Sequence, residues 1–124
     1  MSNFESIQWR VRLNTSDPSK ARKLVDRLKK ALGSDPLGVQ FERDRRDRRG
    51  QYVTFEIMLV ARSIQDAIFR SLQMASGVAY HWEVGTPQEH LGARWEFGGL
   101  FKGKSRVAGV DWAEFHTQNF RPRS

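Results

Sequence analysis

Five arginines stand within seven positions, Arg43, Arg45, Arg46, Arg48 and Arg49, interrupted by Asp44 and Asp47 and closed by Gly50. Guanidinium groups at this density suit phosphate oxygens, because each is planar, permanently charged and presents five N–H donors in a rigid fork. Residues 43–50 keep a net charge of +3. The two aspartates can also pair with the arginines beside them, which makes a solvated, self-neutralising turn the competing reading. His81 and Glu83 are two positions apart and would share one face of a strand, the placement an acid–base pair needs. His81, His90 and His116 have no metal-ligand spacing, and with no cysteine the chain has no thiolate ligand, disulfide or cysteine nucleophile. No metal and no cofactor is called for. Catalysis through His81 and Glu83 ranks behind binding, so the chain is read as a non-enzyme.

Two other strings bear on phosphate. Residues 98–105, Gly-Gly-Leu-Phe-Lys-Gly-Lys-Ser, resemble the P-loop string of glycine, four residues, glycine, lysine and serine. That resemblance implies backbone N–H groups around phosphate oxygens, with Lys104 as a point charge. A P-loop opens a long helix, however, whereas residues 106–110 start a helix poorly and only 19 residues follow Ser105. The string is therefore read as coincidental, a flexible loop whose Lys102 and Lys104 add to a polyanion-attracting surface. Arg48-Arg49-Gly50-Gln51-Tyr52-Val53-Thr54-Phe55 resembles part of the third-strand signature of the RNA-recognition motif family over eight residues. The resemblance implies that Tyr52 lies on an open sheet face and stacks a base. Gly50 stands where that family carries an aromatic, and the first strand offers Gln8, Arg10 and Arg12 without the partner aromatic. The likeness is that of a shared fold pattern.

Elements must position these residues, and hydrophobic spacing supplies them. Ile7, Trp9, Val11 and Leu13 alternate with polar residues, as do Val53, Phe55, Ile57 and Leu59, which predicts strands with one buried face. Val39 and Phe41 precede the arginine run, so the run is the tip of a hairpin. Ser16 or Asp17 with Pro18 predicts a helix start, followed by Ala21, Leu24, Val25, Leu28, Ala31 and Leu32 on one stripe and Gly33 as a stop. Ser63 and Asp66 open a second helix with Ile64, Ala67, Ile68, Leu72 and Ala75 inward and Gly77 at its end. Val78, Tyr80, Trp82 and Val84 predict a fourth strand, which puts His81 on the open face near Arg10 or Arg12.

The resulting order is β-α-β-β-α-β over residues 1–85, which predicts an α+β, ferredoxin-like sandwich with both helices on one face of the sheet. Trp9, Val11, Leu24, Leu28, Phe41, Phe55, Ile57, Ile68, Leu72 and Trp82 are its expected core. Residues 86–124 form a glycine-rich extension holding six of the 14 aromatics, among them Phe97, Phe101, Trp112 and Phe115. Such a segment is too apolar to be disordered, and it is expected to pack on the bare sheet face or on another subunit. Residues 93–97 are read as a short strand, residues 110–120 as strand or helix, and residues 121–124 as mobile. The whole chain, 1–124, is one domain.

Charge points to the partner. Of the net +7, residues 1–50 carry +6, and one-sided positive potential attracts polyanions. No basic and apolar leader and no membrane-length apolar run is present, so a cytoplasmic location without membrane contact is expected. The first expectation is a binding module that engages nucleic acid, RNA or DNA, mainly through phosphates, using Arg10, Arg12, Arg43, Arg45, Arg46, Arg48, Arg49, Tyr52, Lys102 and Lys104. The alternative is an interaction or assembly module of the phage, plasmid or accessory-protein kind, a homodimer or higher oligomer formed through the sheet and the C-terminal segment.

Overall fold

The computed structural model describes residues 4–90 and 94–119. Strand β1 (Phe4–Leu13) leads into helix α1 (Pro18–Leu32), strands β2 (Leu37–Arg43) and β3 (Gln51–Ala61), and helix α2 (Ile64–Val78). Strands β4 (Glu83–Val84), β5 (Gln88–His90), β6 (Arg94–Lys102) and β7 (Val110–Gln118) follow. The molecule is α+β, with one seven-stranded antiparallel sheet in the order β2-β3-β1-β7-β6-β4 and β5 paired to β6.

The helices start where capping chemistry places them. The Asp17 carboxylate accepts the Ser19 N–H with Pro18 in the first turn, and Gly33 ends α1 in the left-handed region at φ 74°. Ser63 Oγ accepts the Asp66 N–H at the start of α2. That helix runs through Gly77 to Val78 rather than stopping at the glycine. Gly77 lies against the carbonyl of Ala31, where a Cβ has no room, so its use is the close approach of the two helices.

The expected strand over residues 78–84 is the main correction. Only Glu83 and Val84 are extended, and they pair with β6, not β1. Trp82 explains the loss: its indole N–H donates to the carbonyls of Ala75 and Ala79, which folds the segment back over the end of α2. The ring then packs edge-on against Trp9, Phe101 and Phe115. The place beside β1 goes to β7, whose Ala113, Phe115 and Thr117 are buried at alternating positions. Residues 86–124 thus supply a central strand, and 110–118 is strand, not helix.

The core lies between the sheet and the helices. Trp9, Val11, Leu28, Phe55 and Ile57 are buried in it, joined by Phe97, Phe101 and Phe115 from the C-terminal segment. Those three aromatics extend the helix-side core instead of covering the bare face. Phe41 and Leu72, expected inside, are 44% and 38% exposed. Phe41 faces the helix side opposite Val53, but β2 is the edge strand and all seven of its residues are exposed. Among the described residues no helix is long and apolar enough to cross a membrane. Residues 91–93 and 120–124, including Phe120 and the C-terminal arginines, lie outside the described residues.

Candidate functional site

Strand registers bring one end of the sheet together. Arg12 pairs with Tyr52 on β3 and Trp112 on β7, Arg43 pairs with Gln51, and Lys102 pairs with Trp112. The β2–β3 hairpin tip and the β6–β7 turn therefore leave the sheet at the same end, as does the link from β1 into α1.

At the base of the tip sits Arg12, with only 14% of its side chain exposed. Its Nε donates to Asp44 Oδ2 at 2.9 Å, Nη1 to Asp111 Oδ2 at 2.6 Å and Nη2 to Asp47 Oδ2 at 3.3 Å. Gly50 makes the space: a Cβ there would collide with the guanidinium and with the Leu13 carbonyl. Asp44 is buried and its other oxygen accepts the N–H groups of Arg46 and Asp47. The Arg12 hydrogen bond first, and then those N–H groups, hold the Asp44 carboxyl below its ordinary range. Asp47 is lowered chiefly by Arg49, whose side chain and N–H both donate to it. Arg12 itself is raised, mainly by Asp44, so it is permanently charged in the fold. Backbone bonds from Asp44 N–H to the Gly50 carbonyl and from Gly50 N–H to the Asp47 carbonyl complete an ordered turn.

This geometry redistributes the predicted site residues. Arg12 is an internal organiser whose donors are occupied by three carboxylates. Arg49 is tied to Asp47 at 3.0 Å. Arg43, Arg45, Arg46 and Arg48 are exposed or partly so and, among the described residues, have no carboxylate within ion-pair distance. Lys102 and Lys104 are exposed on the neighbouring turn, also without a carboxylate partner. Arg10 lies on the open face, 4.1 Å from the centre of the Tyr52 ring and 3.9 Å from Glu42. Tyr52 is on that face as the spacing predicts, with one side taken by Arg10 and Trp112 edge-on at 5.8 Å. Trp112 was not a predicted site residue; its odd-numbered offset from Phe115 is the signal that puts it on the open face.

Residues 98–105 run along β6 into a turn, and no helix follows. Ser105 Oγ accepts the Val107 N–H and lies 2.6 Å from the carbonyls of Val107 and Val110, so it ties the turn instead of facing a ligand. His81 is exposed in the link between α2 and β4, outside any strand, so the expected strand-face pair with Glu83 does not form. The histidine contacts that do occur are from His90 and His116, 3.3 and 3.5 Å from the two oxygens of Glu96. Among the described residues no group of three side chains could hold a metal ion.

The open face has a second feature, a concavity of about 1030 Å³ crossing β2, β3, β1, β7 and β6. Its lining includes Arg10 and His116 but also Glu56, Glu83 and Glu114. It bears three carboxylates among apolar residues such as Leu37, Val84 and Leu100, unlike the tip. Comparison with protein-family models, with curated proteins and with solved structures finds no match, so the chemistry of these residues carries the functional reading.

Proposed function

We propose that this protein is a non-enzymatic module that binds nucleic acid through phosphate contacts at the hairpin end of its sheet. The observation that carries the reading is the pairing of both tip acids within the turn, Asp44 buried against Arg12 and Asp47 bound by Arg49 and Arg12. Both acids are engaged by Arg12, Arg49 and backbone N–H groups, which leaves Arg45, Arg46 and Arg48 without a carboxylate partner among the described residues, on an ordered turn. Lys102 and Lys104 leave the sheet three strand spacings away, about 14 Å at roughly 4.8 Å per strand. Cations so spaced engage a phosphate backbone and carry no base readout, so binding is weakly sequence-selective. We read β1-α1-β2-β3-α2-β7 as a ferredoxin-like unit into which β4, β5 and β6 are inserted.

The test is a low-salt titration with single-stranded and duplex oligonucleotides, using the wild type and the variant with Arg45, Arg46, Arg48 and Arg49 changed to Ser. The variant should lose affinity, and its salt slope should flatten by roughly two to three units, at about 0.9 per phosphate on duplex or 0.7 on a single strand. No wild-type binding at tens of micromolar protein, or binding undiminished in the variant, overturns the proposal.

One observation favours the second reading, assembly through the sheet. Among the described residues the edge strand β2 has no strand on its outer side, and it exposes Leu37, Val39 and Phe41. Such an edge invites strand pairing with a second copy. Sedimentation should then show a homo-oligomer that Val39→Lys dissociates, and a monomer at all concentrations removes it.

A further inference from the structure

A separate pocket of about 380 Å³ lies between α1 and the β6–β7 turn. Asn14, Thr15, Lys20, Lys23, Arg27 and Gly109 are among its lining residues, and none of the residues lining it is acidic. Lys20, Lys23 and Arg27 are spaced three and four apart, which sets them on one face of α1. Among the described residues none of the three has a carboxylate within ion-pair distance. The Asp17 carboxylate, the nearest acid in sequence to Lys20, is occupied as the helix cap. Asn14 N–H donates to the Gly109 carbonyl at 2.8 Å, which fixes the turn against the start of the helix. Three cations without a carboxylate partner among the described residues, set around one concavity, give it a positive potential that favours an anion.

We propose that this pocket binds a phosphate group. It lies at the hairpin end of the sheet: the Gln51 side chain, next to Gly50, donates to the Thr15 carbonyl at 3.0 Å, and Thr15 lines the pocket. A strand whose phosphates lie on the tip arginines therefore reaches the pocket along the same end of the sheet. The larger open-face concavity does not compete for a phosphate, because Glu56, Glu83 and Glu114 line it. The inference deepens the nucleic-acid reading and rests on it for the source of the phosphate; a free phosphorylated small molecule carries the same chemistry.

The experiment uses the full chain and follows backbone amide NMR shifts during titration with pyrophosphate at constant ionic strength. Two charge-matched variants accompany it: Lys23→Gln with Arg27→Gln inside the pocket, and Arg22→Gln with Lys30→Gln on the same helix outside it. Glutamine keeps helix propensity, and an unchanged unfolding midpoint verifies the fold. Saturating shifts at Thr15, Lys23, Arg27 and Gly109 that vanish in the pocket variant alone are expected. With a single-stranded oligonucleotide, the pocket variant should bind roughly tenfold more weakly at 0.1 M salt, with a slope flatter by about 0.7 for each phosphate that is no longer neutralised. Saturation by pyrophosphate with no oligonucleotide binding by the wild type upholds the phosphate site and assigns it to a small molecule, at the expense of the nucleic-acid reading. No saturating shift, or equal losses in the two variants, overturns the site even where the tip arginines still bind a strand.

Discussion

The hairpin tip and the open sheet face are built from the same kinds of residue, yet they present opposite surfaces. At the tip, Asp44 turns in toward Arg12 and the backbone, Asp47 bridges Arg12 and Arg49, and the other arginines turn out. On the open face, Glu56, Glu83 and Glu114 border the concavity themselves, with Arg10 held between Glu42 and the Tyr52 ring. Surface potential here follows where carboxylates find their donors more than how many charges a segment holds. One largely enclosed guanidinium, Arg12, engages both acids of the tip and leaves most of its arginines facing outward.

Substitutions separate the two regions, beginning with one that spares neither. Leu28 is fully buried beneath the sheet, and Leu28→Ala should cost about 2–5 kcal/mol as a large-to-small core change. Chemical denaturation should show both regions melting together at a lower midpoint; an unmoved midpoint would break the shared-core assignment. Arg12→Met is expected to lower the midpoint by less and to act locally. Without its guanidinium, Asp44 loses its main donor and Asp47 one of its donors, and both can turn to the tip arginines, so on the proposed reading oligonucleotide affinity should drop. Amide shifts on the Arg94 end of β6, far from the tip, should stay in place, and widespread changes there would contradict a local role.

Acid should act on the tip in the same direction. Asp44 and Asp47 have folded values below the ordinary 3.8. Their contribution to stability is therefore present above about pH 3.8 and disappears as pH falls through the lowered values. Hydrogen exchange at Arg46, Asp47 and Gly50, corrected for the intrinsic pH dependence of exchange, should show protection lost in that window and constant between pH 5 and 8. The smallest effect belongs to the open face. Glu56→Gln with Glu114→Gln should leave affinity unchanged or raise it slightly, since these acids flank no phosphate path; a marked loss would move the interface onto the open face.

Much of the fold was legible because it rests on periodicity. Alternation at Trp9 to Leu13 and Val53 to Leu59, and the capped stripes of both helices, needed no tertiary knowledge. The fourth strand misled because Val78, Tyr80, Trp82 and Val84 alternate well, while the competing bond from the Trp82 indole to α2 carbonyls is an event that spacing does not encode. Phe41 and Leu72 read as core because an apolar residue announces its face but not whether another element covers it. At the site, the arginine run and Gly50 were visible as sequence. The inward turn of Asp44 and Asp47 was not, since it depends on Arg12 arriving from another strand, 32 and 35 residues away in the chain. The pocket that Lys20, Lys23 and Arg27 border is not legible in the sequence for the same reason: Gly109 comes from the far end of the chain.

The inward carboxylates are tested most directly by titrating Asp44 and Asp47 through their side-chain carbon NMR shifts, in the wild type and in Arg12→Met. Asp44 should titrate below 3.8 in the wild type, with Arg12 as the main cause, and should move back toward that value in the variant. Asp47 should move less, because Arg49 rather than Arg12 holds it down. An Asp44 that titrates at or above 3.8 in both proteins would contradict the account, for Arg12 would then not be holding its carboxylate inward.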